Sequence, residues 1–113
     1  MTTRQKAPRG NPVTGCPLTA AFAAIGGKWK LIIIYWLAES PQHFAGLRRL
    51  MPSISQKVLT EQLRELIADE IVARTPKGSL VEYSLTEYGH SLRPLVESVR
   101  LWGRAHLERG AAK

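Results

Sequence analysis

Residues 55–69 read SQKVLTEQLRELIAD, and the fold turns on whether this stretch is a single two-sided helix. Leu59, Leu63, Leu66 and Ile67 follow one another at spacings of four, three and one, which gathers them on one side of a helix. Lys57, Thr60, Glu61 and Arg64 recur at three, one and three on the opposing side. Just upstream, Ser53 and Ser55 carry hydroxyls able to accept from the first unpaired N–H groups of a helix. One side suits a core, and the other suits solvent or a ligand.

Working toward the N-terminus, residues 44–51 set Phe44, Leu47, Leu50 and Met51 on one side of a short helix, with Arg48 and Arg49 beside them and Pro52 closing it. Residues 28–39 form a helix whose apolar face is expected to be Trp29, Ile32, Ile33, Trp36 and Leu37, ended by Ser40-Pro41. An Ala-rich helix over 19–25 stops at Gly26-Gly27. Residues 1–15 hold Arg4, Lys6, Arg9, Pro8, Gly10, Pro12 and Gly15 without an acid, and read as a flexible basic arm. That arm is either a frayed end or a DNA-touching extension. Residues 16–113 read as one domain.

Toward the C-terminus the period changes to two. Residues 71–75 and 80–85 are strand-like around Pro76-Lys77-Gly78-Ser79, a β-hairpin. Thr86 caps a last helix running to about residue 109, in which Pro94 is expected to bend the helix or disturb its hydrogen bonds near His90. Along it Tyr88, Leu92, Leu95, Val99, Trp102 and His106 form a narrow seam of the kind that joins helices. Trp29, Trp36 and Trp102 sit at helical spacing and read as core or dimer residues.

Composition removes several classes. At 113 residues with 44% hydrophobic and 22% charged side chains, the chain has the balance of one globular domain. Sixteen Lys and Arg against nine Asp and Glu give a net charge of +7, which favours polyanionic partners. A lone Cys16 excludes an internal disulfide framework and a multi-thiolate zinc site. The longest apolar run, residues 31–38, falls well short of the roughly twenty residues of a membrane span. The early residues lack the apolar stretch of a secretory signal, so the cytoplasm is the expected compartment and no membrane partner is expected. His43, His90 and His106 share no ligand spacing, and there is no nucleophile–base pair, carboxylate pair or phosphate loop. Neither catalysis nor a metal or cofactor is expected.

Helix, turn, helix and hairpin in that order is a winged helix-turn-helix: a mainly α fold with a small β-hairpin wing. Residues 40–60 contain no acid but include Arg48, Arg49 and Lys57, the cations that phosphate neutralisation requires. Ser55, Gln56, Lys57 and Thr60 lie on the first turns of residues 55–69, where side chains meet base edges in the major groove. Arg64, Arg74 and Lys77 are further candidate contacts with double-stranded DNA. Arg74 either touches phosphate or pairs with Glu82 across the hairpin. The competing reading is a winged-helix adaptor that binds nucleic acid or protein without choosing a sequence.

Cys16-Pro17, Ile25-Gly26-Gly27-Lys28-Trp29-Lys30, Phe44 with Leu47-Arg48-Arg49-Leu50, and Ile54-Ser55-Gln56-Lys57-Val58-Leu59-Thr60 all occur in order, followed by Gln62-Leu63-Arg64-Glu65-Leu66 and Val81-Glu82-Tyr83-Ser84-Leu85-Thr86. In this combination the chain resembles the HxlR family of bacterial winged-helix transcription regulators over residues 16–107. The resemblance implies a homodimer joined through N- and C-terminal helices, with Leu92, Leu95, Val99, Trp102 and His106 at the interface. It further implies binding to a near-palindromic operator, and a repressor is the preferred reading over an activator. Family members resemble thiol sensors at the position of Cys16; the alternative is a small side chain packing the dimer. A small electrophile or aromatic effector between the central and last helices is a further candidate partner. Three departures stand out: Glu70 where the family places glycine, a shorter wing, and His43 where arginine is common.

Overall fold

The structure is a computed structural model that describes residues 15–111. In chain order the elements are α1 (Pro17–Ile25), α2 (Lys30–Glu39), β1 (Gln42–His43), α3 (Phe44–Leu50), α4 (Gln56–Ala68), β2 (Val72–Lys77), β3 (Leu80–Leu85), α5 (Glu87–His90) and α6 (Arg93–Ala111). This is a winged helix-turn-helix, as expected. The anticipated basic arm, Gly15 apart, lies outside the described residues.

Helix α4 forms as its sequence requires. The Ser55 hydroxyl accepts from the Val58 N–H at 3.0 Å, capping the first turn. Leu59, Leu63 and Leu66 are buried, whereas Gln56, Lys57, Thr60, Glu61 and Arg64 are exposed. Each buried leucine contributes roughly 1.5–3 kcal/mol relative to exposure. The same core takes Ile33, Ile34 and Leu37 from α2, Leu47 from α3, and Ile71, Val72 and Leu85 around the wing.

Although Glu70 stands where the family places glycine, α4 ends as a glycine-terminated helix does. The Ile71 N–H donates to Leu66 O and the Glu70 N–H to Ile67 O, both at 2.9 Å, the paired bonds of a Schellman motif. Glu70 adopts the left-handed conformation at φ 64°, held there by the Thr86 hydroxyl, which donates to Glu70 O at 2.6 Å. A side chain in that region costs about 1–2 kcal/mol. Glu70→Gly is therefore expected to stabilise by about 1 kcal/mol and raise the melting temperature by roughly 4–8 °C. A melting temperature unchanged or lowered in thermal denaturation would show that this turn stores no strain.

The wing is a three-stranded antiparallel sheet in the order β1-β3-β2, with Gln42 opposite Tyr83 and Val72 opposite Leu85. Its hairpin is tighter than expected. Lys77 pairs with Leu80, leaving Gly78-Ser79 as the turn, and Gly78 has φ 63°. A glycine at positive φ in the first turn position suits a two-residue hairpin of type II′. Pro76, expected in the turn, lies in β2 opposite Val81; β2 is an edge strand, where a missing N–H is tolerated.

Two further expectations are corrected. The last helix is two helices, α5 and α6, and Pro94 occupies the first turn of α6 instead of bending a continuous helix. A proline in the first turn lacks only an N–H that has no intrahelical partner anyway. In α2 the buried side is Lys30, Ile33, Ile34 and Leu37, with Ile32 38% exposed. Residues 31–38 are apolar all round, so periodicity alone points to no particular side.

Candidate nucleic-acid interface

Helix α3, the outward side of α4 and the wing sheet converge on one concave face. Arg49 from α3, Gln56 and Thr60 from α4, and Arg74 from β2 line the same cleft, together with His43 and Tyr83. An adjoining hollow is lined by Thr60, Arg64 and Arg74, again beside Tyr83. No Asp or Glu lines either one. Ser55 and Lys57 are exposed at the start of α4, although the Ser55 hydroxyl is engaged in the cap.

Two anticipated cations stand apart. The Arg48 guanidinium donates across the helix-turn-helix corner to Ile54 O at 3.5 Å. Lys77, near the wing tip, pairs with Glu82 at 3.7 Å. That pairing corrects the idea that Arg74 bridges to Glu82: Arg74 lies opposite Tyr83 in the ladder, and Thr75 lies opposite Glu82.

His43 belongs to the cleft and was missed as a site residue. It reaches the wing through β1, and its Nδ1 lies 2.8 Å from Val81 O. A two-residue strand has too little alternation to read in a sequence.

Cys16 is exposed and immediately precedes α1, with Pro17 at the first helical position. The Thr19 backbone N–H, then the Thr19 hydroxyl and the Leu18 backbone N–H, hold its pKa below the ordinary thiol value. A lowered pKa puts thiolate at lower pH. Iodoacetamide is expected to alkylate Cys16 with a rate-against-pH inflection below that of free cysteine. An inflection at or above the free-cysteine value would contradict the stabilising role of these donors.

Of the expected seam on the last helix, Leu92, in the turn before α6, packs partly on the core, while Leu95, Val99 and Trp102 are 40%, 46% and 68% exposed. His106 is also exposed and stacks on Trp102 with ring centroids 4.9 Å apart. The buried α6 residue is Val96, outside that seam. Leu18 and Phe22 of α1 are each 69% exposed. Between α2 and α6 lies an apolar hollow of about 270 Å³ lined by Leu31, Ile32, Tyr35, Val96, Val99 and Arg100.

No group of acidic, His or Cys side chains among the described residues has the geometry to hold a metal ion. No single described helix is long and apolar enough to cross a membrane.

A winged helix whose second helix-turn-helix element presents polar side chains beside a basic cleft with no acidic lining defines a DNA-binding transcription regulator. Residues 24–111 match the model of the HxlR-like helix-turn-helix family, and the chain belongs to it. It is 46% identical to YybR of Bacillus subtilis (strain 168), an uncharacterised HTH-type transcriptional regulator, over 81% of this chain and 76% of that protein. Among solved structures, the redox regulator HypR in its oxidised form is similar with a TM-score of 0.77 and 45% identity, over 80% of this chain and 96% of that one. The reduced transcriptional regulator YodB of B. subtilis aligns with a TM-score of 0.69 and 35% identity, over 79% and 91% of the two chains.

Proposed function

We propose that the protein is a dimeric, cytoplasmic repressor that reads a near-palindromic operator in double-stranded DNA through α4. The observation that carries this reading is the acid-free cleft in which Arg49 and Arg74 flank Gln56 and Thr60. Arginines neutralise phosphates and fix register, while Gln56, Lys57 and Thr60 supply donors and acceptors for base edges. Arg64 lines the adjoining hollow and Ser55 caps α4, while Arg48 and Lys77 lie outside both hollows.

Dimerisation is supported by the apolar side chains that α1 and α6 leave exposed: Leu18, Phe22, Leu95, Val99 and Trp102. Soluble chains rarely leave such a set uncovered. A two-fold pair of α4 helices would meet half-sites roughly 34–36 Å apart.

Cys16 serves, in this reading, as the point where an oxidant or electrophile acts. Its thiolate attacks diamide, and the Cys16 thiolate of the second subunit displaces the adduct. Two thiols give a disulfide, and diamide leaves as the hydrazine. HypR's description as a redox regulator is in keeping with this.

Selection from a randomised duplex library tests the reading. Enrichment of inverted repeats with half-sites one turn apart, and weaker binding of the enriched duplex after diamide in wild type but not in Cys16→Ser, is the expected result. Enrichment of no sequence would favour the adaptor.

A further inference from the structure

Lys30, the first residue of α2, is only 5% exposed. Its Nζ lies 2.7 Å from Oε1 of Glu65 on α4. Lysines are almost never this buried unless paired, because removing an ammonium from water is costly. On α4, Glu65 stands on one flank of the leucine stripe, and Thr60 and Ile67 stand on the other. Thr60 and Ile67 border the hollow shared with Arg74 and Tyr83 of the wing. Helix α4 is thus set against the wing on one flank and tied to α2 on the other.

The burial energy of the leucines is non-directional and does not by itself select one rotation of α4 about its axis. A turn of about 15° moves a side-chain tip lying about 5–6 Å from the axis by about 1.5 Å. That displacement exceeds what a hydrogen bond to a base edge tolerates. A short charge-assisted bond is directional and opposes the turn.

We propose that Lys30–Glu65 is a positioning tie that sets the rotation of α4, so that Gln56, Lys57 and Thr60 meet base edges in register. This rests on the base-reading role of α4 given above. The tie acts through the helix and touches no DNA. Its loss therefore degrades discrimination while leaving the phosphate-binding cations in place.

The test uses the full chain and two probes: the duplex that the wild type enriches from a randomised library, and a random duplex of equal length. In Lys30→Met an apolar stem of similar reach keeps α2 packed. Its affinity for the enriched duplex is expected to fall about tenfold, with random-duplex binding and its salt slope within about twofold of wild type. Glu65→Ala keeps the Lys30 stem and loses the same preference. Glu65→Gln, whose amide oxygen still accepts from Nζ, retains most of it even if it melts earlier. A merely structural pair would lower melting temperatures without moving the ratio of the two affinities. A wild-type ratio in Lys30→Met, or in Glu65→Ala, overturns the tie and leaves base reading standing. A wild type that enriches no duplex removes base reading, and the tie's role with it.

Discussion

Gly89→Ala is expected to lower the melting temperature by roughly 10–20 °C, for a loss of about 2–3 kcal/mol. Gly89 is buried in α5. A Cβ built there would stand 2.1 Å from the carbonyl oxygen of Ile71 and 3.1 Å from its carbon. The obstacle is backbone, so no rotamer change relieves it. Nor is that carbonyl able to retreat cheaply, because Ile71 O accepts from the Thr86 N–H at 3.1 Å. Thr86 in turn caps α5 by accepting from the Gly89 N–H at 2.8 Å. Relief of the clash therefore disrupts the junction of α4, the wing and α5 together. Thermal denaturation checks this, and a drop of less than about 3 °C would mean that α5 docks less tightly than the geometry implies.

A second large effect is expected on DNA affinity. Arg49→Ala combined with Arg74→Ala removes two guanidinium groups per subunit from the cleft, hence four from a two-fold dimer. Each lost phosphate contact lowers the slope of log K against log salt by about 0.9. At four such contacts the double variant is expected to bind about 100-fold more weakly at ~0.15 M salt, on enriched and random duplex alike. A double variant with an unchanged salt slope would place the DNA elsewhere on the molecule.

Helix α4 was legible because three signals agree in residues 55–69: a capping serine, a leucine stripe at 3.6 spacing, and an opposing polar stripe. The wing was legible from alternation in residues 80–85. The elements that escaped did so for identifiable reasons. Lys30 looks like a surface charge until Glu65, 35 positions away in sequence, is brought against it. The side of α2 that is buried is decided by tertiary packing, since residues 31–38 carry no polar side to mark the other face. The break between α5 and α6 depends on the turn at Ser91 and Leu92, where Ser91 N–H donates to Tyr88 O at 3.1 Å and Leu92 N–H to Gly89 O at 3.0 Å. Such short-range bonds leave no periodic trace. Arg49, Gln56, Thr60 and Arg74 were each legible as candidate contacts, but their shared cleft was not, because it exists only once β2 folds back against α4.

The most direct measurement is the ratio of dissociation constants for enriched and random duplex, taken at about 0.15 M salt for wild type and Gln56→Ala. Gln56 is exposed at the start of α4 and neutral, so its removal leaves every phosphate-binding cation in place. A base-reading α4 requires the ratio to collapse by at least about tenfold, equivalent to about 1.4 kcal/mol and less than two bidentate contacts, one per subunit, supply, while random-duplex affinity stays put. Equal weakening on both duplexes, or none on either, would contradict it.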